Sequence, residues 1–134
     1  MSEEFIWFIK EHHVLHISSH EDGKTWSANC FYVFLKTNNA FVFASDKDTR
    51  HMRNIIKTPY VSGTIALETK EIGLIQGLQF EGIVQKASLK AKKAYFLSYP
   101  FAAALAPSLW ELEIDYAKLT DNRLGFGKKL EFKR

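Results

Sequence analysis

Apolar and polar positions alternate with a period of two over several short stretches of this chain, and shift to a helical period over a few others. Residues 4–11 set Phe5, Ile6, Phe8 and Ile9 along one side of a short predicted helix. A strand over residues 13–19 follows and ends at Glu21-Asp22-Gly23-Lys24, where Asp-Gly is a strong turn dipeptide. The next predicted strand, residues 26–36, is long. Trp26, Ala28, Cys30, Tyr32 and Phe34 form one face, and Ser27, Asn29, Phe31, Val33 and Leu35 the other. Its second half is apolar on both faces and should be covered on both sides. Asn38-Asn39 tolerates positive φ and predicts a tight hairpin into a strand over residues 41–45.

That strand runs into Asp46-Lys47-Asp48-Thr49-Arg50-His51-Met52-Arg53-Asn54, a predicted helix start with Met52, Ile55 and Ile56 on one face. Asp46 or Asp48 suits the N-cap, and Pro59 stops the helix from behind. A strand over residues 61–67 comes next, then a polar turn, then what reads as the longest strand, residues 72–86. Leu74, Leu78, Phe80 and Val84 make one of its faces, interrupted by Gln76; Gly77 and Gly82 predict a bend or a close approach. Ser88 caps a helix to about Ser98, and Pro100 opens a short alanine-rich helix ended by Pro107. A strand over residues 109–116 turns Trp110, Leu112 and Ile114 inward and Glu111, Glu113 and Asp115 outward. The tail carries Gly125-Phe126-Gly127-Lys128-Lys129 and an apparent strand over residues 130–132. About six strands joined by short turns predict a mainly β architecture, a six-stranded antiparallel barrel with helices packed outside it.

The 134 residues suit one domain with a full core. Eleven phenylalanines favour strands and aromatic-lined interfaces. A formal net charge of +3 is too mild to argue for nucleic acid, and the C-terminal lysines read as a solvated tail. One cysteine, Cys30, excludes an intramolecular disulfide and a cysteine zinc site; it reads as a small buried apolar residue. The N-terminus lacks the basic and apolar regions of a signal peptide, and no apolar run approaches 18 residues, so a cytoplasmic location is expected.

Chemistry concentrates at the helix start after Ser45. A helix N-terminus offers unpaired N–H groups and the positive end of the macrodipole. Thr49, Arg50 and His51 add a hydroxyl, a permanent cation and a possible second cation, together a phosphate-binding corner. His12, His16 and His20 are spaced by four, but on a strand that separates neighbours by roughly 13 Å, too far to share an ion. No nucleophile elbow, His-Glu-x-x-His, Walker loop or dinucleotide fingerprint is present.

Four segments carry a resemblance: Trp26-Ser-Ala-Asn-Cys-Phe-Tyr32, Ser45-x-x-x-Thr49-Arg50-His51 through Asn54 to Pro59, Gly77-Leu-Gln79-Phe-Glu-Gly82, and Thr120 through Lys129. Together the chain resembles the flavin mononucleotide (FMN)-binding split-barrel superfamily, whose best-known member is pyridoxamine phosphate oxidase, and more closely an uncharacterised bacterial branch of it. The resemblance implies FMN as cofactor, with its phosphate on Thr49, Arg50 and His51 where the oxidase has Ser-Arg-Lys. It implies Asn29 in place of an oxidase arginine, Ala44 and Ser45 beside the isoalloxazine ring, and Gln79 or Gly77 from the long strand. It also implies a homodimer with the flavin at its interface.

Where the oxidase holds its phosphorylated substrate with a lysine and an arginine, this chain has Phe34 and Tyr99; Tyr95 alone resembles a substrate residue. Oxidation of pyridoxamine phosphate is therefore not expected. The resulting expectation is a flavin-dependent oxidoreductase or reductase of unidentified substrate. The alternative is a binding module that kept the barrel but carries haem, another planar ligand or protein contacts only. Haem-degrading relatives of this fold use a histidine near the C-terminus, and this chain has none after His51.

Overall fold

The computed structural model describes residues 1–125 and 128–134. Its elements run α1 Glu3–Glu11, β1 Val14–Glu21, β2 Lys24–Leu35, β3 Ala40–Ala44, α2 Arg50–Lys57, β4 Tyr60–Ala66, β5 Gln76–Lys86, α3 Leu89–Ser98, α4 Pro100–Ala104, β6 Leu109–Asp121 and β7 Lys129–Lys133. Every strand pairing is antiparallel, in the order β3-β2-β1-β4-β5-β6-β7, and an additional β3–β6 pairing closes β1 to β6 into a six-stranded barrel. β7 adds to the far half of β6, pairing Thr120 with Lys129 through Tyr116 with Lys133. The expected barrel is present, with a seventh strand beside it.

The turns form where their chemistry demands. Asp22 and Gly23 both take positive φ, 51° and 75°, as the tight turn between β1 and β2 needs, and Asn39 does so at 49° before β3. Alternation then sorts the strands: Leu15, Ile17, Tyr32, Phe41, Phe43, Ile65, Leu78, Phe80, Leu112 and Ile114 all point into one core. α1 adds Phe5, Phe8 and Ile9 at the end where β5 begins, and the Tyr32 hydroxyl donates to the Ile9 carbonyl at 2.6 Å. α2 adds Met52 and Ile55 near the opposite end, beside Val84 and Trp110. A second cluster lies outside the barrel, where α3 lays Ala91 and Tyr95 over Leu35, Val42 and Leu109. The outer face of β2 is thus covered by α3 at Leu35, within the chain, and left open at Asn29 and Phe31.

Several expectations need correction. The strand over residues 72–86 starts only at Gln76; residues 72–74 form a 3₁₀ turn, Leu74 is exposed, and β6 at 13 residues is the longest strand. β6 also runs past Tyr116, because a bulge changes its phase: Glu81 pairs with Tyr116 but Gly82 with Ile114, leaving Asp115 as the extra residue. Even positions face inward before the bulge and odd ones, Ala117 and Leu119, after it. Glu111 does point out of the barrel yet is only 2% exposed. α3 covers it, and its carboxylate accepts from the Ser88 backbone N–H at 2.7 Å and from Asn38 Nδ2 at 3.2 Å. The Gly125 to Lys129 segment lies partly outside the described residues.

Of the two glycines in β5, one is required by close approach. A Cβ at Gly82 would meet the Glu113 carbonyl oxygen at 2.0 Å, whereas at Gly77 it would find only the Ile65 carbonyl oxygen, at 3.8 Å. Gly82→Ala should therefore lower unfolding free energy by about 2–4 kcal/mol, and Gly77→Ala by less than about 1 kcal/mol. Urea denaturation of the two variants checks the contrast, and equal losses would contradict it.

Candidate functional site

The corner after β3 is held by its backbone first. Ser45 N–H donates to the Ser108 carbonyl at 3.1 Å, and the Trp110 indole Nε1 donates to the Ser45 carbonyl at 2.9 Å, which fixes where β3 ends. The chain then turns through residues 46–49. Asp46 Oδ1 accepts from the Asp48 N–H at 2.9 Å, so this aspartate shapes the turn. Neither Asp46 nor Asp48 is the N-cap. Thr49 is, its Oγ1 accepting from the Met52 N–H at 3.3 Å while donating to the Asp46 carbonyl at 2.7 Å. The same hydroxyl expected to meet a phosphate is thus already committed.

α2 begins at Arg50 and is anchored in the barrel by Met52 and Ile55. Asn54 Nδ2 donates to Ser19 Oγ at 3.2 Å, and Ser19 Oγ to the Trp26 carbonyl at 2.9 Å, so the buried polar face of α2 is bonded to β1 and β2. Helix geometry leaves the N–H groups of Arg50 and His51 without an intrahelical acceptor. Arg50 is exposed, with its guanidinium carbon 4.2 Å from the Trp26 ring centroid. Sequence reading missed Trp26 as part of this corner: it shares a face of β2 with Cys30 and Tyr32, which are buried, yet is itself 45% exposed. His51 turns inward and shares a 2.5 Å hydrogen bond between Nε2 and Ser45 Oγ, with Thr49 Oγ1 at 3.4 Å. Burial pushes its pKa below 6.5, so the second cation anticipated here is a neutral imidazole at neutral pH.

Ser45, Thr49, Arg50 and His51 therefore meet in one turn, with Ala44 beside them at the end of β3. Asn29 and Gln79 stand elsewhere, on the outer barrel face, in a rung that runs Asn29–His16–Thr64–Gln79–Lys118 across β2, β1, β4, β5 and β6. Three strand spacings put Gln79 roughly 14 Å from Asn29. Gln79, His16, Thr64, Ser18, Ser62 and Tyr116 line an open groove of about 380 Å³ on this face. His16 drew notice in the sequence only through its four-residue spacing from His12 and His20, and Thr64 gave no signal. Among the described residues, no group of three His, Cys, Asp or Glu side chains is placed to hold a metal.

The region expected to lack substrate cations is a cleft of about 270 Å³ lined by Phe34 and Tyr99, with Lys10, His12 and His13 from the end of α1. The Tyr99 hydroxyl donates to the Tyr32 carbonyl at 2.8 Å, and Phe34 packs on Phe41. Any charge in this cleft comes from α1, an element the oxidase resemblance did not point to.

Because the folded state holds His51 neutral, the unfolded chain takes up its proton first. Stability linked to this group is full above pH 6.5 and is lost as pH falls through that value toward the lower folded pKa. Acidification from pH 7 to 5 should destabilise the parent more than His51→Gln, as read from thermal midpoints. Thr49→Ala, which removes the cap, should cost about 1 kcal/mol at either pH.

No family model matches the chain. It is 39% identical over 132 residues to the UPF0306 protein YhbP of Salmonella schwarzengrund, covering 96% of this chain and 89% of that one. Among solved structures, it superposes on a haem-binding protein from Mycobacterium smegmatis with a TM-score of 0.77 at 17% identity. The match covers 92% of this chain and 54% of the other, so the chain spans about half that protein's length. A FAD-binding protein from Mesorhizobium loti matches with a TM-score of 0.72 at 10% identity, over 89% of this chain and 94% of that one. At those identities the structural likenesses establish the split-barrel fold.

Proposed function

The chain belongs to the UPF0306 family, and on that footing we propose that it binds FMN at the start of α2 as a homodimer and serves as a flavin-dependent oxidoreductase or reductase. The observation that carries this reading is the first turn of α2. It sets an exposed guanidinium, Arg50, next to two helix N–H groups with no intrahelical acceptor, at the end of a strand fixed from both sides. A phosphate fits there, but with one fixed cation rather than two. Thr49 and Ser45 already spend their hydroxyl bonds within the protein, and Asp46 and Asp48 oppose an anion. Arg50 accordingly carries most of the binding, by leaving or sharing the Trp26 ring for two phosphate oxygens.

A bound flavin supplies the redox chemistry; the chain holds the phosphate, presents Ala44 and Ser45 to the ring, and excludes water. A second copy completes the site. Leu97, Phe101 and Leu105 are 84%, 92% and 81% exposed, α4 buries none of its residues, and Phe31 is open beside Tyr99. A patch of this kind marks an interface. Asn29 and Gln79, too far apart on one barrel to clasp the same end of a ligand, then serve flavins in different protomers. A haem-carrying module is the second reading, supported by the haem-binding structural neighbour and by His16 in the outer groove.

Absorption spectra after loading separate the two, flavin bands against a Soret band. In calorimetric titration, Arg50→Ala should weaken FMN by about ten- to a hundredfold, with riboflavin binding weakly and indifferent to the change. Titration at pH 7 in buffers of different ionisation enthalpy should show proton uptake, because a phosphate beside neutral His51 favours its charged form. Unchanged FMN affinity in Arg50→Ala would overturn the placement of the phosphate. Light scattering at micromolar concentration should give a dimer, and a monomer would leave the flavin site incomplete.

A further inference from the structure

Arg50, on which the phosphate depends most, makes no hydrogen bond and no ion pair among the described residues. Two carboxylates stand close to it in the chain. Asp46 and Asp48 belong to the turn that leads into α2, exposed and without an ion-pair partner among the described residues. A guanidinium folded back onto either of them would be occupied before any ligand arrived. What Arg50 meets instead is the Trp26 ring, with its guanidinium carbon 4.2 Å from the centroid.

That contact is framed from inside the barrel. Trp26 pairs with Ser19 across β1 and β2. Ser19 Oγ donates to the Trp26 carbonyl at 2.9 Å and accepts from Asn54 Nδ2 at 3.2 Å. Ser19 and Asn54 are both buried, so these bonds form away from water, where they are strongest. Asn54 follows Arg50 by one turn of α2. The strand that carries the ring and the helix that carries the cation are thereby fixed to each other.

A guanidinium is planar, and its N–H bonds lie in its own plane. An aromatic ring takes its face and leaves the N–H edges free for two phosphate oxygens. We propose that Trp26 is the positioning residue of the phosphate corner: it holds Arg50 by the face, and phosphate binds the edge without displacing the ring. This rests on the reading of the start of α2 as a phosphate site, and it decides that Arg50 shares Trp26 rather than leaving it. Sharing restricts the arginine rotamers before a ligand binds, which lowers the ordering cost of association. It also keeps the cation off Asp46 and Asp48. The sign of a substitution separates the two cases. Where Arg50 has to leave, Trp26 competes with phosphate and its removal tightens binding; where Arg50 stays, its removal loosens binding.

Calorimetric titration of FMN, riboflavin and phenyl phosphate against the parent, Trp26→Leu, Arg50→Ala and the double variant tests it. Trp26→Leu should weaken FMN and phenyl phosphate by one common factor, about two- to fivefold, the scale of an exposed cation–π contact. Riboflavin should be unchanged. In the Arg50→Ala background the same substitution should have no further effect. Trp26→Phe, which keeps a ring, should recover most of the loss. Tighter or unchanged phosphate binding in Trp26→Leu overturns the proposal. Equal weakening with and without Arg50 also overturns it, because Trp26 would then act through the fold or on the ligand itself. If the parent binds phenyl phosphate with this pattern but not FMN, the flavin reading falls and the role of Trp26 stands. If the parent binds neither, both fall.

Discussion

Closure through β3 is the constraint on which the rest of the molecule depends. Five residues, Ala40 to Ala44, pair with β2 on one edge and β6 on the other. The strand is buried on both faces, Phe41 and Phe43 toward the barrel core and Val42 beneath α3. With no free edge and no free face, β3 has one register, since a slip by one residue would send two phenylalanines outward. That register determines where Ser45 stops, and Ser45 determines where the turn and α2 begin. The corner chemistry is thus a consequence of sheet closure, so even a conservative change within β3 is expected to reach the α2 corner.

What was legible in the sequence follows from how local each signal is. Asp22-Gly23, Asn39, the Ser88 cap and the Pro100 helix start all rest on the conformational needs of one or two residues, and all stand where the sequence placed them. The barrel was legible because alternation over short strands with short turns leaves few architectures. The end of β6 was not. A bulge at Asp115 reverses the inward parity, so a period-two reading stops there although the strand continues. Glu111 misled for a related reason: alternation gives the side of the sheet, but not whether a helix 23 residues earlier in sequence supplies an N–H to bury it.

The site residues divide in the same way. Thr49, Arg50 and His51 are neighbours in sequence, so their meeting was legible; how their hydrogen bonds are used was not. The Ser45–His51 bond depends on the end of β3, and burial of the ring beside it keeps a presumed cation neutral. Trp26 approaches Arg50 across 24 positions of sequence, through a hairpin geometry no local pattern encodes. Gln76 was visible as an interruption of an apolar face, a pattern that alone says only that something unusual is buried. What it is buried against is Arg123, on a different element, whose Nη2 donates to the amide oxygen.

The two ends of the barrel carry opposite local charge, and the distance between them decides how they communicate. One end presents Arg50; the other presents Glu3, Glu4 and Glu11. β5 spans 11 residues between them, roughly 30 Å of strand, several times the screening length of about 8 Å at physiological ionic strength. Direct electrostatic coupling between the two ends is therefore negligible. Coupling would need a two-state element running from one end to the other. The β5–β6 ladder is poorly suited to that role, because the bulge at Asp115 gives it a single register in which Gly82 lies against the Glu113 carbonyl with no room for a Cβ. A ligand held at the α2 corner would then be felt only weakly at the α1 end.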